Sequence, residues 1–198
     1  MGYLSNAGVF LIQVGFGLYE VLILLRLLMQ YVRADFHNPF SRFIVQATNP
    51  PLRPLRRIIP GLAGIDMASV VLLLLVILIE LLLLGVVLRL PSPNPVGLLL
   101  LAAVEGLRLL IHVYLFSILI LVILSWVNPG GYNPVAHLLA QITAPVMRPA
   151  RRLLPPMGGL DLSPMLVLIG LYLLILLLVD PLGDLATGLT YNRGLAAP

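Results

Sequence analysis

The run ASVVLLLLVILIELLLLGVVL at residues 68 to 88 is too long and too apolar for the core of a small soluble domain. It belongs to a segment spanning 67 to 90, and comparable segments lie near 7 to 32, 98 to 127 and 163 to 180. A bilayer core requires about 20 consecutive apolar residues per helix, so the four segments predict four membrane-spanning helices. With 60% hydrophobic and 10% charged residues and a mean hydropathy of +1.07, the expected fold class is an all-α membrane protein. The first segment is expected to persist in the mature protein, because residues 1 to 6 carry no basic side chain and the apolar run is too long for a cleaved leader.

The absence of cysteine excludes disulfides, thiolate metal sites, c-type haem attachment and thiol catalysis. All 12 basic residues are Arg, and their placement carries more information than the net charge of +4. Arg33, Arg42, Arg53, Arg56 and Arg57 fall between segments 1 and 2, and Arg148, Arg151 and Arg152 between segments 3 and 4. The connection PSPNPVG at 91 to 97 and the N-terminal tail have none, and the C-terminal tail has Arg193 alone. The positive-inside rule then puts both Arg-rich loops in the cytoplasm and both termini outside, as expected for a bacterial inner-membrane protein. No specific nucleic-acid binding is expected.

Those two loops are copies of each other. At a constant offset of 95, residues 38 to 66 match 133 to 161 at twelve of 29 positions, from Asn38/Asn133 and Pro39/Pro134 through Arg56/Arg151 and Arg57/Arg152 to Pro60/Pro155, Gly64/Gly159 and Asp66/Asp161. Each unit is therefore helix, loop, helix: residues 1–95 with the loop at 33–66, and 96–198 with the loop at 128–162. Two spans per unit give both copies one orientation, so two parallel hairpins related by a pseudo-twofold axis along the membrane normal are expected.

Within each loop, Asn38 and Asn133 can cap short helices that Pro39 and Pro134 begin. Phe40, Phe43, Ile44 and Ala47, and in the second copy Val135, Leu138, Leu139 and Ile142, share a face at the spacing of an interfacial helix. Pro50 and Pro145 are expected to end these helices, because the residue before proline disfavours the helical region. Pro54 and Pro149 stiffen the turns that carry the arginines. Arg53, Arg56 and Arg57 lie on one such turn, as do Arg148, Arg151 and Arg152, aimed either at anionic headgroups or at a protein partner. Asp66 and Asp161 can cap the outgoing spans, with Ser163 before Pro164 an alternative cap.

The stretches NPFSRFIVQATNPPLRPLRRIIPGLAGID and NPVAHLLAQITAPVMRPARRLLPPMGGLDLSP resemble the two signature loops of the bacterial YggT family, also called YlmG, in its two-copy form. The resemblance covers essentially the whole chain. Ser69 departs from the pattern, since the second copy has Pro164 there. The resemblance implies links to osmotic tolerance and potassium uptake in bacteria, or to cell division and nucleoid distribution. In chloroplast relatives it implies a link to haem attachment during cytochrome b6 assembly. It implies no reaction.

Charges inside the spans are the other candidates, because a charge at mid-bilayer costs several kcal/mol, on the order of 3 by insertion scales, unless it finds a partner or water. Glu20, Glu80 and His112 fall at similar depth, with Arg26 nearer the cytoplasm and Glu105 and Arg108 toward the outside. Two glutamates at one depth should not both be charged, so a protonated form or an Arg26 or His112 partner is expected. The stripe Glu105, Arg108, His112 maps onto Gln13 and Gly17, which suggests facing stripes with Gly17 leaving room for His112. Interhelical hydrogen bonding is the first reading of such groups, ahead of a proton or cation path.

No HExxH, phosphate loop or nucleophile elbow is present, and GFG at 15 to 17 has Glu20 where a third glycine of a dinucleotide fingerprint would fall. No enzyme, metal or other cofactor is expected. The sequence points to a membrane scaffold or assembly factor whose loops meet anionic lipid and a membrane or cytoplasmic protein partner, with a homo-oligomer possible. The alternative is a small ion-transport or osmotic-stress component using the buried carboxylates.

Overall fold

The computed structural model describes residues 2–34, 36, 38–62, 64–127, 133–154 and 161–191. Pro155, Gly159 and Arg193 lie outside the described residues. The apolar runs form α1 (Tyr3–Tyr31), α3 (Met67–Val87), α4 (Pro95–Val127) and a last span of α6 (Ser163–Leu174), a π-helical turn (Ile175–Val179) and α7 (Asp180–Tyr191). These four are long and apolar enough to cross a membrane. Two amphipathic helices, α2 (Pro39–Ile58) and α5 (Pro134–Leu153), connect them pairwise. Among the described residues there is no strand, only a single bridge between Leu62 and Ile65 around Gly64, whose φ of +82° suits a residue without a side chain.

The last span runs eleven residues past the expected end at 180. Asp180-Pro181 reads as a stop, yet Pro181 occupies the first turn of α7, where a missing N–H costs least. The π turn immediately before it absorbs the change in hydrogen-bond register.

The prolines of α2 and α5 do not break them, contrary to the expectation at Pro50 and Pro145. Both helices continue for 20 residues, with Pro50, Pro51 and Pro54 inside α2 and Pro145 and Pro149 inside α5. Pro50, Pro54, Pro145 and Pro149 all lie on exposed faces. Proline rings on these faces add no bulk to the core.

The buried side of α2 is Ser41, Ile44, Thr48 and Leu52. Phe40 and Phe43 are exposed, while Ile44 from the same expected face packs into the bundle. In α5 the buried side comprises Leu138, Ile142, Thr143, Met147 and Ala150. Small hydroxyls on these faces let the loop helices lie close against the spans, while Ile142 and Leu52 join Ile23, Met29 and Ile77 in one core. Elsewhere α1 packs chiefly on α3, and α4 on α7.

Candidate functional site

The loops place their repeated charges in the same bonds twice. Arg56 donates through Nε at 3.1 Å and through Nη2 to Asp66, and Nη2 also reaches Gln30 Oε1 of α1 at 3.1 Å. One guanidinium thus ties the end of α2 to α1 and to the start of α3. In the second unit Arg151 Nε donates to Asp161 at 3.1 Å. Burial raises the Asp66 carboxyl, but the bonds from Arg56 and the Ser69 hydroxyl outweigh it and hold the group below the usual carboxylate range. Asp161 is shifted the same way: burial raises it less than its bonds from Ser163 and Arg151 lower it.

The expected cap at Asp66 is absent in its backbone form. Asp66 takes the Ser69 hydroxyl at 2.6 Å and makes no side-chain cap bond to a backbone N–H. Asp161 does accept the Ser163 N–H, at 3.0 Å. Ser163 itself does not cap; its hydroxyl donates to Leu154 O at the end of α5. Asn38 and Asn133 behave as expected, accepting from Phe40 N and Val135 N ahead of Pro39 and Pro134. Asn38 Nδ2 also donates to Pro134 O at 2.7 Å, which joins the starts of the two loop helices.

With Arg56 and Arg151 committed, Arg53, Arg57, Arg148 and Arg152 remain exposed and without an ion pair among the described residues. They sit at the ends of helices whose last turns point their carbonyls the same way, an arrangement that suits cations.

Inside the spans, Arg26 pairs with neither glutamate. Its Nη1 donates to Val45 O at 3.0 Å and Thr48 Oγ1 at 2.8 Å, so a buried guanidinium staples α2 to α1. Glu20 and Glu80 instead lie within hydrogen-bond reach of one another, with Glu105 near enough to repel both. A bond between two carboxyl groups requires a proton on one of them. Glu20 Oε1 is buried with no hydrogen-bond partner among the described residues.

Arg108 is held by Glu105 at 3.3 Å and by Asp180 at 2.5 Å. His112 Nδ1 meets Arg108 O at 2.9 Å. The facing stripes do not form: Gly17 opens onto empty space and Gln13 is exposed, while His112 turns toward α6. The reason is the partner of α4, which is α7 rather than α1. Asp180 is not a candidate from sequence alone, because the unbroken apolar run of segment 4 ends at that residue. The available signal was a carboxylate in a run that stays largely apolar beyond Pro181, opposite an Arg lacking a partner. Gly183 completes the arrangement, since a Cβ there would come within 2.9 Å of Arg108 Nη2.

Four apolar spans tied by two amphipathic helices, with ionisable groups paired inside the bundle, define a multi-pass membrane protein. A family model described as CCB3/YggT matches residues 5–87 and again 100–182, and the chain belongs to that family. An uncharacterized protein of Pseudomonas aeruginosa is 46% identical over 183 residues, covering 90% of this chain and 91% of its own. The uncharacterized protein YggT of Escherichia coli K12 is 40% identical over 170 residues, covering 85% and 87%. No solved structure matches the chain.

Proposed function

We propose that this protein is a non-enzymatic scaffold of the bacterial inner membrane, built as two parallel hairpins with α2 and α5 on the cytoplasmic face. The paired helices rest on anionic headgroups and present Arg53, Arg57, Arg148 and Arg152 to an acidic protein partner. The observation that carries this reading is the repeated division of labour. In each unit one arginine is committed to an aspartate, and the same two neighbours are left exposed. A loop built only to set topology would not need its charges held on an ordered helix. Near an anionic leaflet each basic residue contributes about 1 kcal/mol, so four could contribute about 4 kcal/mol to lipid or partner binding.

A second reading, an ion-transport component, draws on the unpartnered Glu20 oxygen beside Glu80 and Glu105. One comparison separates the two. Replacing Arg53, Arg57, Arg148 and Arg152 with Gln leaves both Arg–Asp bonds intact, whereas Glu20→Gln with Glu80→Gln alters only the membrane interior. The scaffold reading expects the Arg set to lose flotation with anionic liposomes and co-purification of its partner, and the Glu pair to retain both. Ion flux in proteoliposomes that disappears in the Glu pair and persists in the Arg set would replace it with the transport reading.

A further inference from the structure

A cavity of about 450 Å³ lies between α4 and the last span, with Arg108, His112 and Phe116 on one wall and Tyr172, Ile175 and Asp180 on the other. We propose that it binds a neutral, lipid-soluble ring compound bearing a hydroxyl that can donate a hydrogen bond, the class to which phenols and isoprenoid quinols belong. This inference is independent of the scaffold reading.

The route of entry limits the occupant first. Phe116 and Tyr172 are about 60% exposed on the outer surface of spans that face lipid, so the cavity opens sideways into the acyl layer. Depth limits it further. Arg108 and His112 flank Ile111, the midpoint of the 33-residue α4. Lipid phosphates lie roughly 15 Å from the centre of a 30 Å hydrocarbon core, beyond reach of this level.

Charge excludes an anionic headgroup on separate grounds. The Arg108 guanidinium already meets two carboxylates, Glu105 and Asp180, and leaves no surplus positive charge. The remaining polarity is directional. A carbonyl can only accept, so the bond to Arg108 O places a proton on His112 Nδ1, and in the neutral ring Nε2 is then an acceptor with no partner among the described residues.

The walls also suit a flat ring. The His112 and Phe116 rings are stacked, 6.5 Å apart and 26° from parallel. Ile175 and Leu176, which line the opposite side, belong to the π-helical turn, a backbone irregularity frequent at functional sites. The volume falls within the ordinary range for small-molecule sites, about 300 to 1,000 Å³.

The test uses the full chain in detergent, titrated without oxygen with a short-tailed ubiquinol and followed by its thermal unfolding midpoint. A saturable rise is expected in the wild-type protein. His112→Leu should weaken the response about tenfold, as loss of one buried hydrogen bond would. Leu119→Trp, which fills the cavity from its rim, should abolish it. Helical circular dichroism and a monodisperse elution profile check that each variant is folded, and Leu168→Trp serves if Leu119→Trp is not. No rise in the wild-type protein, an undiminished rise in the variants, or an equal rise with a ringless alcohol of the same tail length would overturn the proposal.

Discussion

Arg56 and Asp66, ten residues apart, form an ion pair that fastens the loop helix α2 to the foot of α3. Its counterpart in the second unit, Arg151 with Asp161, uses Nε alone. The environments differ as well: the Asp66 side chain is 6% exposed and that of Asp161 32%. A partly buried pair with two donors and a serine should be worth more than one open to solvent. Asp66→Asn is therefore expected to cost about 1–3 kcal/mol of stability in detergent, and Asp161→Asn about 0.2–1 kcal/mol.

The same bonds set an acid limit. Both aspartates have folded-state values below the unfolded reference of about 3.9. Stability from a depressed carboxyl is fully present above the unfolded value and is lost as pH falls through the folded one. The unfolding midpoint of the wild-type protein should thus fall steeply below about pH 4. Asp66→Asn should flatten that fall, and an unchanged acid limb would show that Asp66 contributes nothing to it.

Inside the bundle, the Glu20 and Glu80 carboxyls are expected to act as one unit. Glu20→Gln preserves a donor and an acceptor and removes a charge, so it should leave stability unchanged or higher. Glu20→Leu strands Glu80, but adding Glu80→Leu removes both polar partners together. The double variant should be less destabilised than the sum of the singles, by about 0.5–3 kcal/mol in a double-mutant cycle. Simple additivity would mean that the two carboxyls do not interact.

Spans and caps were legible in the sequence because they depend on local chemistry: run length for α1, α3 and α4, and Asn before Pro for α2 and α5. Continuation through Pro50 and Pro145 was not legible. It depends on which face the prolines occupy, and that is settled only when Ser41, Thr48 and Thr143 find the bundle.

Partner choice inside the membrane was hidden for a related reason. Arg26 could have met a carboxylate by depth alone, yet the packing of α2 delivers Thr48 and Val45 to it first. Likewise the pairing of Arg108 with Asp180 requires knowing that α4 lies against α7, a long-range contact that helical periodicity does not encode. The repeat did carry the Arg56/Arg151 and Asp66/Asp161 correspondence, but not which of three neighbouring arginines would take the aspartate.

Orientation can be read by labelling, since the chain has no cysteine of its own. Exposed positions are needed, and Gly2, Ser92 and Gln46 provide them. Single cysteines at Gly2 and Ser92 should react with an impermeant thiol reagent on intact cells, whereas one at Gln46 should react only after permeabilisation. Labelling of Gln46 from outside would invert the orientation and remove the basis for a cytoplasmic partner.

A close backbone approach at Gly97 yields the last expectation. Asn94 N donates to Thr190 O at 2.8 Å, bringing the start of α4 against the end of α7. A Cβ on Gly97 would lie 2.5 Å from Thr190 N and 2.7 Å from Leu189 C, both backbone atoms that cannot turn aside. Gly97→Ala should therefore separate the helix ends and cost about 1–3 kcal/mol, the usual range for overpacking. Gly183→Ala meets the tip of Arg108 at 2.9 Å, with Val104 at an ordinary contact distance of 3.8 Å. A side chain can rotate where a backbone cannot, so this second change should be the milder, with the strain relieved by loosening the bond to Asp180. Comparing the unfolding midpoints of the two variants tests the ranking. If Gly97→Ala were as stable as the wild-type protein, the ends of α4 and α7 would not be in contact.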